Sequence, residues 1–259
     1  MDWKRLEEEI GAKIHPGGRL LILREGDEKG CLFYEKQLRR KAKEFGISVK
    51  TLVLDGSVEK EEFLRDQESS DGVLLLQPMS DKILHTLLPL LDPMKDVDGM
   101  HPLNRGRIST GEEEFLPATV EAILFVLERF VKDMTGRRVL IVNRSHQVGV
   151  PLALSLIRRG ATVTVGHSKS KDLEKLAREA EILIVGMGNP SVVTKKWLHE
   201  KQMVIDVGMA EIEGKMCGDV PLSLKDCVKF LAPSPGGIGR LTTLTLLRHV
   251  SLAAKKRTP

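Results

Sequence analysis

The stretch from Gly136 to His167, GRRVLIVNRSHQVGVPLALSLIRRGATVTVGH, decides the fold predicted for this chain. It opens with four apolar, mostly branched residues at 139–142, too few for a helix and typical of a buried parallel strand. After a polar turn comes a helix that has Pro151 in its first turn and Gly160 at its end. A second branched strand at 161–165 completes a βαβ unit. The turn before the helix offers free backbone N–H groups to an anion, which makes it a candidate cofactor site.

That turn departs from the full dinucleotide fingerprint, which has three glycines in the pattern G-x-G-x-x-G. Only Gly149 is present, and Asn143 stands where the first glycine would be. Because asparagine tolerates left-handed backbone conformations better than most residues, the replacement is interpreted as mild. The turn alone leaves two interpretations open, a nucleotide site and an ordinary connection between strand and helix.

The end of the second strand predicts which nucleotide would bind. An NAD site commonly carries Asp or Glu there to bond the ribose 2′-hydroxyl, whereas this chain has His167, Ser168 and Lys169. Hydroxyls and a cation suit a 2′-phosphate, and Arg144 and Ser145 in the turn add a guanidinium and another donor. If a dinucleotide binds, the sequence favours NADP over NAD.

Length and element pattern predict the domain organisation. A chain of 259 residues can bury one large core or two medium ones, and alternating strand and helix patterns favour two. The predicted fold class is α/β with two domains, each a mostly parallel sheet with flanking helices. The first domain is expected at 1–117 and a second, Rossmann-like domain at 118–259, with the last helix, about 240–256, able to pack back on the first.

Charge and cysteine usage disfavour several protein classes. The 40 basic and 36 acidic residues are mostly interspersed, and the basic cluster at 39–43 is interpreted as a solvated helix face because aromatic stacking residues are few. The three cysteines form no C-x-x-C pair that would indicate a zinc site or a disulfide framework. No apolar leader or membrane-length run occurs. The expectation is a soluble cytoplasmic protein without a nucleic-acid partner, a membrane partner or a metal.

Four segments, taken in order, resemble the bifunctional methylenetetrahydrofolate dehydrogenase/cyclohydrolase family. They are KDVDGMHPLNRGRI (95–108), NRSHQVGVPLAL (143–154), VIDVGM (204–209) with GDV (218–220), and APSPGGIGRLT (232–242). The resemblance covers nearly the whole chain. It implies a two-domain α/β fold with a Rossmann-like C-terminal domain, a homodimer, and a tetrahydrofolate derivative held in the cleft between domains.

The resemblance also implies roles for individual residues. Asp98 in the D-V-D-G motif would anchor the pterin, since a carboxylate accepts two hydrogen bonds from an amino-pyrimidinone edge; the alternative is that it only caps a turn. Tyr34, located by counting back from Gly46, would stack on folate, and Tyr34 and Asp98 are the expected catalytic residues. Further substrate-binding positions are Gln77, Pro235, Gly236 and Gly237. The expected NADP-binding positions are Asn143, Arg144, Ser145, Val148, Gly149, His167, Ser168, Gly188 and Ile238.

Two positions depart from the family pattern. The catalytic lysine four residues after the tyrosine is replaced by Leu38, and Lys36 is a poor substitute because it is rotated about 200° around the helix. The family's strand-end glutamine aligns with Leu76, so that Gln77 sits one residue late, which moves a side chain to the other face of a sheet.

These departures affect one of the two family reactions. Hydride transfer from 5,10-methylenetetrahydrofolate depends on the cofactor and on positioning, whereas hydrolysis of the methenyl product needs proton management that Leu38 cannot provide. The sequence therefore predicts an NADP-dependent methylenetetrahydrofolate dehydrogenase with weak or absent cyclohydrolase activity. Two alternatives stay open: a bifunctional enzyme with a displaced lysine such as Lys36, and a non-catalytic paralogue that binds folate or nucleotide.

Overall fold

The computed structural model describes residues 2–257 and divides them into two compact units. One unit comprises the chain up to Ala118 together with the segment from Thr243 onward, and the other comprises Thr119–Thr242. The C-terminal segment therefore belongs to the first unit rather than to a second domain running from 118 to the end. Its side chains explain this: His249 is fully buried, with its Nδ1 atom 2.8 Å from the carbonyl oxygen of Val97.

The first unit is built on a three-stranded parallel sheet with the order β2-β1-β3. Apolar runs at 20–23, 49–54 and 72–76, with helical patterns between them, predict a β-α-β-α-β unit, and the structure forms it. In chain order the elements are α1 (Trp3–Gly11), β1 (Arg19–Glu25), α2 (Lys29–Glu44), β2 (Ser48–Leu54), α3 (Lys60–Ser69), β3 (Gly72–Leu76), α4 (Asp81–Leu87) and α5 (Pro102–Thr110). Every residue of β3 is buried, as expected for an apolar strand covered on both faces.

One segment of this unit differs from the sequence prediction. Residues 95–104 are polar and dense in turn residues, which predicts a loop without a helix or strand, but α5 begins at Pro102 inside this segment. His101 caps this helix, because its Nδ1 accepts a hydrogen bond from the N–H of Leu103 at 3.0 Å. Proline at the first helical position needs no hydrogen-bond partner for its nitrogen, so a sequence dense in turn residues still starts a helix here.

The second unit is built on a five-stranded parallel sheet with the order β10-β7-β6-β4-β5. Together with the first sheet and the flanking helices it confirms the predicted α/β class with two parallel sheets. Its elements are α6 (Ala118–Phe130, which starts at the unit boundary), β4 (Arg138–Val142), α7 (Gly149–Arg158), β5 (Thr162–Gly166), α8 (Leu173–Glu179), β6 (Ile182–Val185), β7 (Met203–Asp206), β8 (Ala210–Ile212), β9 (Lys215–Cys217) and β10 (Phe230–Ala232). The last helix, α9 (Ile238–Arg257), begins in this unit and continues from Thr243 in the first one.

Short elements are where prediction and structure differ in this unit. The sequence pattern at Lys195–Glu200 predicts a helix, whereas the structure has a single 3-10 turn there, Lys195–Trp197. The antiparallel hairpin of β8 and β9 and the edge strand β10 were not predicted, because three residues carry too little periodicity to identify a strand.

The carboxyl ends of the central strands lie together at one edge of the second sheet. Val142 pairs with Gly166 on one side and with Val185 on the other, and Val185 pairs with Asp206. In open parallel sheets ligands bind just beyond this edge. None of the described helices is long and apolar enough to cross a membrane.

Candidate active site

The two aspartates of the K-D-V-D-G segment have different roles in the structure. Asp96 is 1% exposed and its carboxylate accepts hydrogen bonds from the N–H groups of Met100 and His101 and from Nδ2 of Asn104, at 2.8–2.9 Å. It therefore shapes the loop itself. Gly99 has φ +61°, and a Cβ there would lie 2.6 Å from the carbonyl oxygen of Phe115, which explains the glycine after Asp98.

The fold uses only one of the two carboxylate oxygens of Asp98. Its Oδ1 accepts the N–H of Ala118 at 2.8 Å, so it caps α6, while no hydrogen bond to Oδ2 is found within residues 2–257. Burial, reinforced by the charge of Asp96, raises the pKa of Asp98 to about 6. Capping and ligand binding are thus compatible, because the cap uses one oxygen and leaves the other for a donor.

Tyr34 lies within range of the charge of Asp98. Its side chain, on α2, is partly buried, and its hydroxyl hydrogen-bonds the side chain of Thr243 on α9. Burial is the main cause that raises the pKa of Tyr34, and the Asp98 carboxylate adds to it. The phenol therefore stays protonated at neutral pH. The structure brings together the two predicted catalytic residues.

Three residues near Asp98 were missed by sequence reasoning. Arg105 on α5 and the buried His249 on α9 both stabilise the ionised form of Asp98, and Thr243 fixes the Tyr34 hydroxyl. The Arg105 Nε atom is buried without a hydrogen-bond partner, while one of its terminal nitrogens lies 3.3 Å from Sδ of Met100. Arg105 lies within the motif at 95–108. Thr243 and His249 come from a distant part of the chain, and no local sequence pattern links them to Asp98.

Leu38, the position at which the family resemblance predicts a lysine, is part of the hydrophobic core. Leu38 has no exposed surface, whereas Lys36 lies on the exposed face of α2. The same helix carries Tyr34, as the spacing predicted. A side chain at position 38 is therefore shielded from water, and the Lys36 ammonium belongs to a different face of the helix.

Gln77 lies in the loop after β3 and bonds within that loop. Its Oε1 accepts the N–H of Met79 at 3.2 Å, and its Nε2 lies 3.5 Å from the carbonyl oxygen of Leu75. Its own carbonyl accepts from the thiol of Cys31, with Sγ 3.1 Å away. Leu76, at the aligned position, is buried. Among the described residues no hydrogen bond joins Gln77 to Tyr34 or Asp98, so its place in a substrate site stays a prediction.

Asn143 explains the unusual glycine pattern of the nucleotide turn. Its Oδ1 accepts the N–H groups of Ser145 and Gly149, and its Nδ2 donates to the carbonyl of Gly186 at 2.6 Å. Its φ is not positive, so the expected left-handed conformation was wrong. An asparagine is suited to this position because its side chain ties the turn to the end of the neighbouring strand, β6. At position 149 a Cβ would lie 2.0 Å from the Asn143 carbonyl oxygen, so glycine is required.

Arg144 and Ser168 occupy equivalent places after neighbouring strands. Each lies two residues beyond the register pair Val142 and Gly166, at the carboxyl edge of the sheet. Both are exposed, and Arg144 has no ion-pair partner in the described part of the chain. A guanidinium and a hydroxyl placed in this way can complement a phosphate.

The other predicted cofactor residues shape the same edge of the sheet. His167 uses Nδ1 to accept the N–H of Lys169, and the Ser145 hydroxyl accepts the N–H of Val148, which precedes α7. Gly188 has φ +64° in the loop after β6.

The A-P-S-P-G-G-I segment precedes α9. Ile238 begins this helix and is 1% exposed, so its side chain packs in the core. Pro235 and Gly236 are exposed, and the backbone of Gly236 has φ +98°. A Cβ at Gly237 would lie 2.3 Å from the carbonyl oxygen of Pro233, which makes glycine necessary in this turn. Roles of these residues toward a ligand remain predictions.

Two buried aspartates hold the loops at this edge. Asp206 accepts the N–H groups of Gly208 and Val220, and Asp219 accepts those of Met187 and Asn189, on either side of Gly188. Burial is the main cause that raises the pKa of Asp206 to about 6, and the charge of Asp219 contributes. The G-D-V motif was quoted for the family resemblance without a role. In the structure its aspartate, Asp219, holds the loop around Gly188.

Replacement of Asp219 by asparagine is expected to lower the free energy of unfolding by about 2 kcal/mol, because an amide nitrogen would then face a buried N–H donor. Urea unfolding measures this change. The matched control is Asp226→Asn at an exposed position, which should change the free energy of unfolding by less than about 0.5 kcal/mol. Equal stability of the two variants would show that Asp219 does not hold the loop.

Together these features define a two-domain α/β protein with a Rossmann-like nucleotide edge in one unit and a carboxylate–tyrosine site in the other. The model of the tetrahydrofolate dehydrogenase/cyclohydrolase NAD(P)-binding domain matches residues 117–258. Bifunctional FolD proteins of Anoxybacillus flavithermus and Clostridium tetani are 36% and 33% identical, covering 98% and 96% of this chain and 92% and 97% of theirs. The chain therefore belongs to the tetrahydrofolate dehydrogenase/cyclohydrolase family, which confirms the resemblance seen in the motifs.

Solved structures agree with this assignment. The bifunctional FolD enzyme of Campylobacter jejuni superposes with a TM-score of 0.88 at 29% identity, covering 98% of this chain and 96% of that one. The bifunctional dehydrogenase/cyclohydrolase of Thermoplasma acidophilum gives a TM-score of 0.85 at 27% identity, with 98% and 95% covered. The two-domain fold is thus shared over the full length of both chains.

Proposed function

We propose that this chain catalyses the NADP-dependent oxidation of 5,10-methylenetetrahydrofolate to 5,10-methenyltetrahydrofolate. The observation that carries the proposal is the pairing of Asp98 with Tyr34. Asp98 has one carboxylate oxygen without a hydrogen bond in the described chain, and Tyr34 holds a protonated phenol beside it. A carboxylate with a free oxygen recognises the amino-pyrimidinone edge of a pterin, and a tyrosine ring provides a stacking surface.

The residues at the second sheet edge fit NADP. Gly149 allows close approach at the start of α7, whose N-terminus favours an anion, and Arg144 and Ser168 offer a cation and a hydroxyl for a 2′-phosphate. No Asp or Glu stands at the end of β5 to bind a ribose 2′-hydroxyl. The family model names an NAD(P)-binding domain, which supports the cofactor class, and the local residues favour NADP within it.

The chain's contribution to the reaction is mainly positioning. Bound NADP would supply the hydride acceptor. Asp98 would hold the pterin through its free oxygen, since its other oxygen is fixed by Ala118. Thr243 fixes the Tyr34 hydroxyl, which limits rotation of the ring. No side-chain acid or base needs to lose or gain a proton in the hydride step itself.

For the second family reaction, hydrolysis of the methenyl product, our proposal differs from what the relatives' names say. We infer that cyclohydrolase activity is weak or absent, because the lysine position is filled by Leu38, which is fully buried, and Lys36 faces solvent on another side of the helix. The relatives' names favour the bifunctional alternative, since those proteins are called bifunctional. That alternative requires another residue near Tyr34 to manage protons, and the structure identifies Arg105 and His249 as the basic groups facing Asp98.

Replacement of Ser168 by aspartate is expected to weaken NADP binding roughly tenfold, because a carboxylate would repel the 2′-phosphate. The affinity for NAD, which lacks that phosphate, should change by less than about threefold and serves as the internal control. Titration of both dinucleotides measures the ratio. Equal effects on NADP and NAD would remove Ser168 from the 2′-phosphate site.

The proposed function is tested by following NADPH formation from 5,10-methylenetetrahydrofolate with the purified chain. Saturable formation of NADPH supports it. Binding of tetrahydrofolate without any NADPH formation would instead favour the non-catalytic paralogue. Sedimentation of the same preparation tests the homodimer that the family resemblance implies.

A further inference from the structure

A cavity of about 500 Å³ lies in the second unit, at the edge opposite to the nucleotide turn. It is formed where β4, β6, β7 and β10 begin, and by the end of α6. The carboxyl edge is one strand length away, roughly 13–17 Å for strands of four or five residues. The proposed NADP-binding residues therefore take no part in this cavity.

The wall of the cavity combines an aromatic pair with lysines. Phe130 and Phe230 are stacked with ring centroids 4.6 Å apart, and Phe130 is 45% exposed. Lys132, Lys201 and Lys229 also line the cavity, and no carboxylate lies within 4.0 Å of their ammonium groups in the described chain.

The two acidic residues of the cavity are already engaged. Glu181 pairs with Arg137, at 2.6 Å between Oε2 and the guanidinium, and Asp133 accepts the N–H of Thr135 at 2.9 Å. Asp133 keeps its charge, but five cations including Arg129 line the cavity against two anions, so its formal charge is +3 (5 − 2). The exposed aromatic face therefore lies in a positive field, which favours an anionic ligand with an apolar part.

We propose that this cavity binds a small organic anion, one flat ring carrying a phosphate or a carboxylate. The ring would pack on Phe130, and the anionic group would be held by Lys201 and Lys229. The volume suits such a ligand, because small-molecule sites typically measure about 300–1,000 Å³. None of the residues that line this cavity belongs to the proposed folate site.

Calorimetric titration of the full-length protein with 1-naphthyl phosphate and 1-naphthoate tests the site and distinguishes a phosphate from a carboxylate ligand. We expect saturable binding of at least one anion, with roughly tenfold weaker affinity in the Lys201→Glu/Lys229→Glu variant and roughly threefold weaker affinity in Phe130→Ala. Lys175→Glu/Lys225→Glu, an equal charge change at two exposed positions outside the cavity, is the matched control and should bind like the parent chain.

Three results would overturn the proposal. The first is the absence of saturable binding up to roughly millimolar concentrations of both anions. The second is equal affinity for neutral 1-naphthol or an unchanged affinity in the Lys201→Glu/Lys229→Glu variant, provided its urea unfolding matches the parent. The third is displacement of the bound anion by NADP, which would place the probe in a nucleotide site at the other edge.

Discussion

The Asp98→Asn variant is expected to lose about 100-fold in kcat/KM for 5,10-methylenetetrahydrofolate while remaining folded. The asparagine Oδ1 can still accept the N–H of Ala118, so the cap of α6 is retained. The second carboxylate oxygen, however, becomes an amide nitrogen, which cannot accept a hydrogen bond from the pterin. Loss of charge-assisted hydrogen bonds worth about 1.5–3 kcal/mol each accounts for an effect of this size.

The pH dependence of kcat/KM provides a second signature of the same residue. Because the pKa of Asp98 is raised to about 6, the parent enzyme should gain activity as pH rises through about 6 and Asp98 ionises. The asparagine variant cannot titrate and should lack this step. Asp81→Asn, at an exposed position on α4, is the control. An asparagine variant with parental activity and an unchanged pH profile would show that Asp98 only caps the helix.

Replacement of Gly149 by alanine is expected to weaken NADP binding at least roughly tenfold and to lower the free energy of unfolding by about 1–3 kcal/mol. The added Cβ would lie 2.0 Å from the carbonyl oxygen of Asn143, which is backbone and cannot rotate away. The turn must therefore shift. Its shift would disturb the hydrogen bonds that Asn143 makes to Gly149 and Gly186.

The matched control for this variant is Gly106→Ala. Gly106 lies within α5, without positive φ, and no atom comes within 4 Å of its added Cβ. Alanine there should raise the free energy of unfolding by about 0.5–1 kcal/mol, as in other helices. Urea unfolding and NADP titration separate the two variants. Parental NADP affinity in Gly149→Ala would mean that the turn does not approach the cofactor.

Sequence reasoning identified most of the long elements because their periodicity is local. The apolar runs that became β3, β4 and β6 are fully buried or nearly so, and α7 ends just before Gly160, as predicted. Three-residue strands such as β10 escaped prediction, since their partners are distant in sequence and their own pattern is too short. The first residues of α5 were missed because Pro102 follows a cluster of turn residues.

Residues of the candidate site were likewise predicted only where a local motif identified them. Tyr34 and Asp98 were identified from motifs, and in the structure the charge of Asp98 acts on the Tyr34 hydroxyl. Thr243 and His249 were not identified, because they reach the site through the packing of α9 against residues more than 100 positions earlier. Asn143 was identified for the wrong physical reason: its side chain, rather than its backbone conformation, serves the turn.

Leu38 is the residue on which we base the proposal that this chain performs one folate reaction rather than two. It has no exposed surface, and a leucine side chain cannot take up or release a proton.

The most direct test compares two rates for one purified preparation: NADPH formation from 5,10-methylenetetrahydrofolate and loss of 5,10-methenyltetrahydrofolate by hydrolysis. We expect clear NADPH formation together with hydrolysis close to the uncatalysed rate. Rapid hydrolysis by the parent chain would contradict this account, and its loss in Lys36→Ala would identify Lys36 as the displaced catalytic lysine.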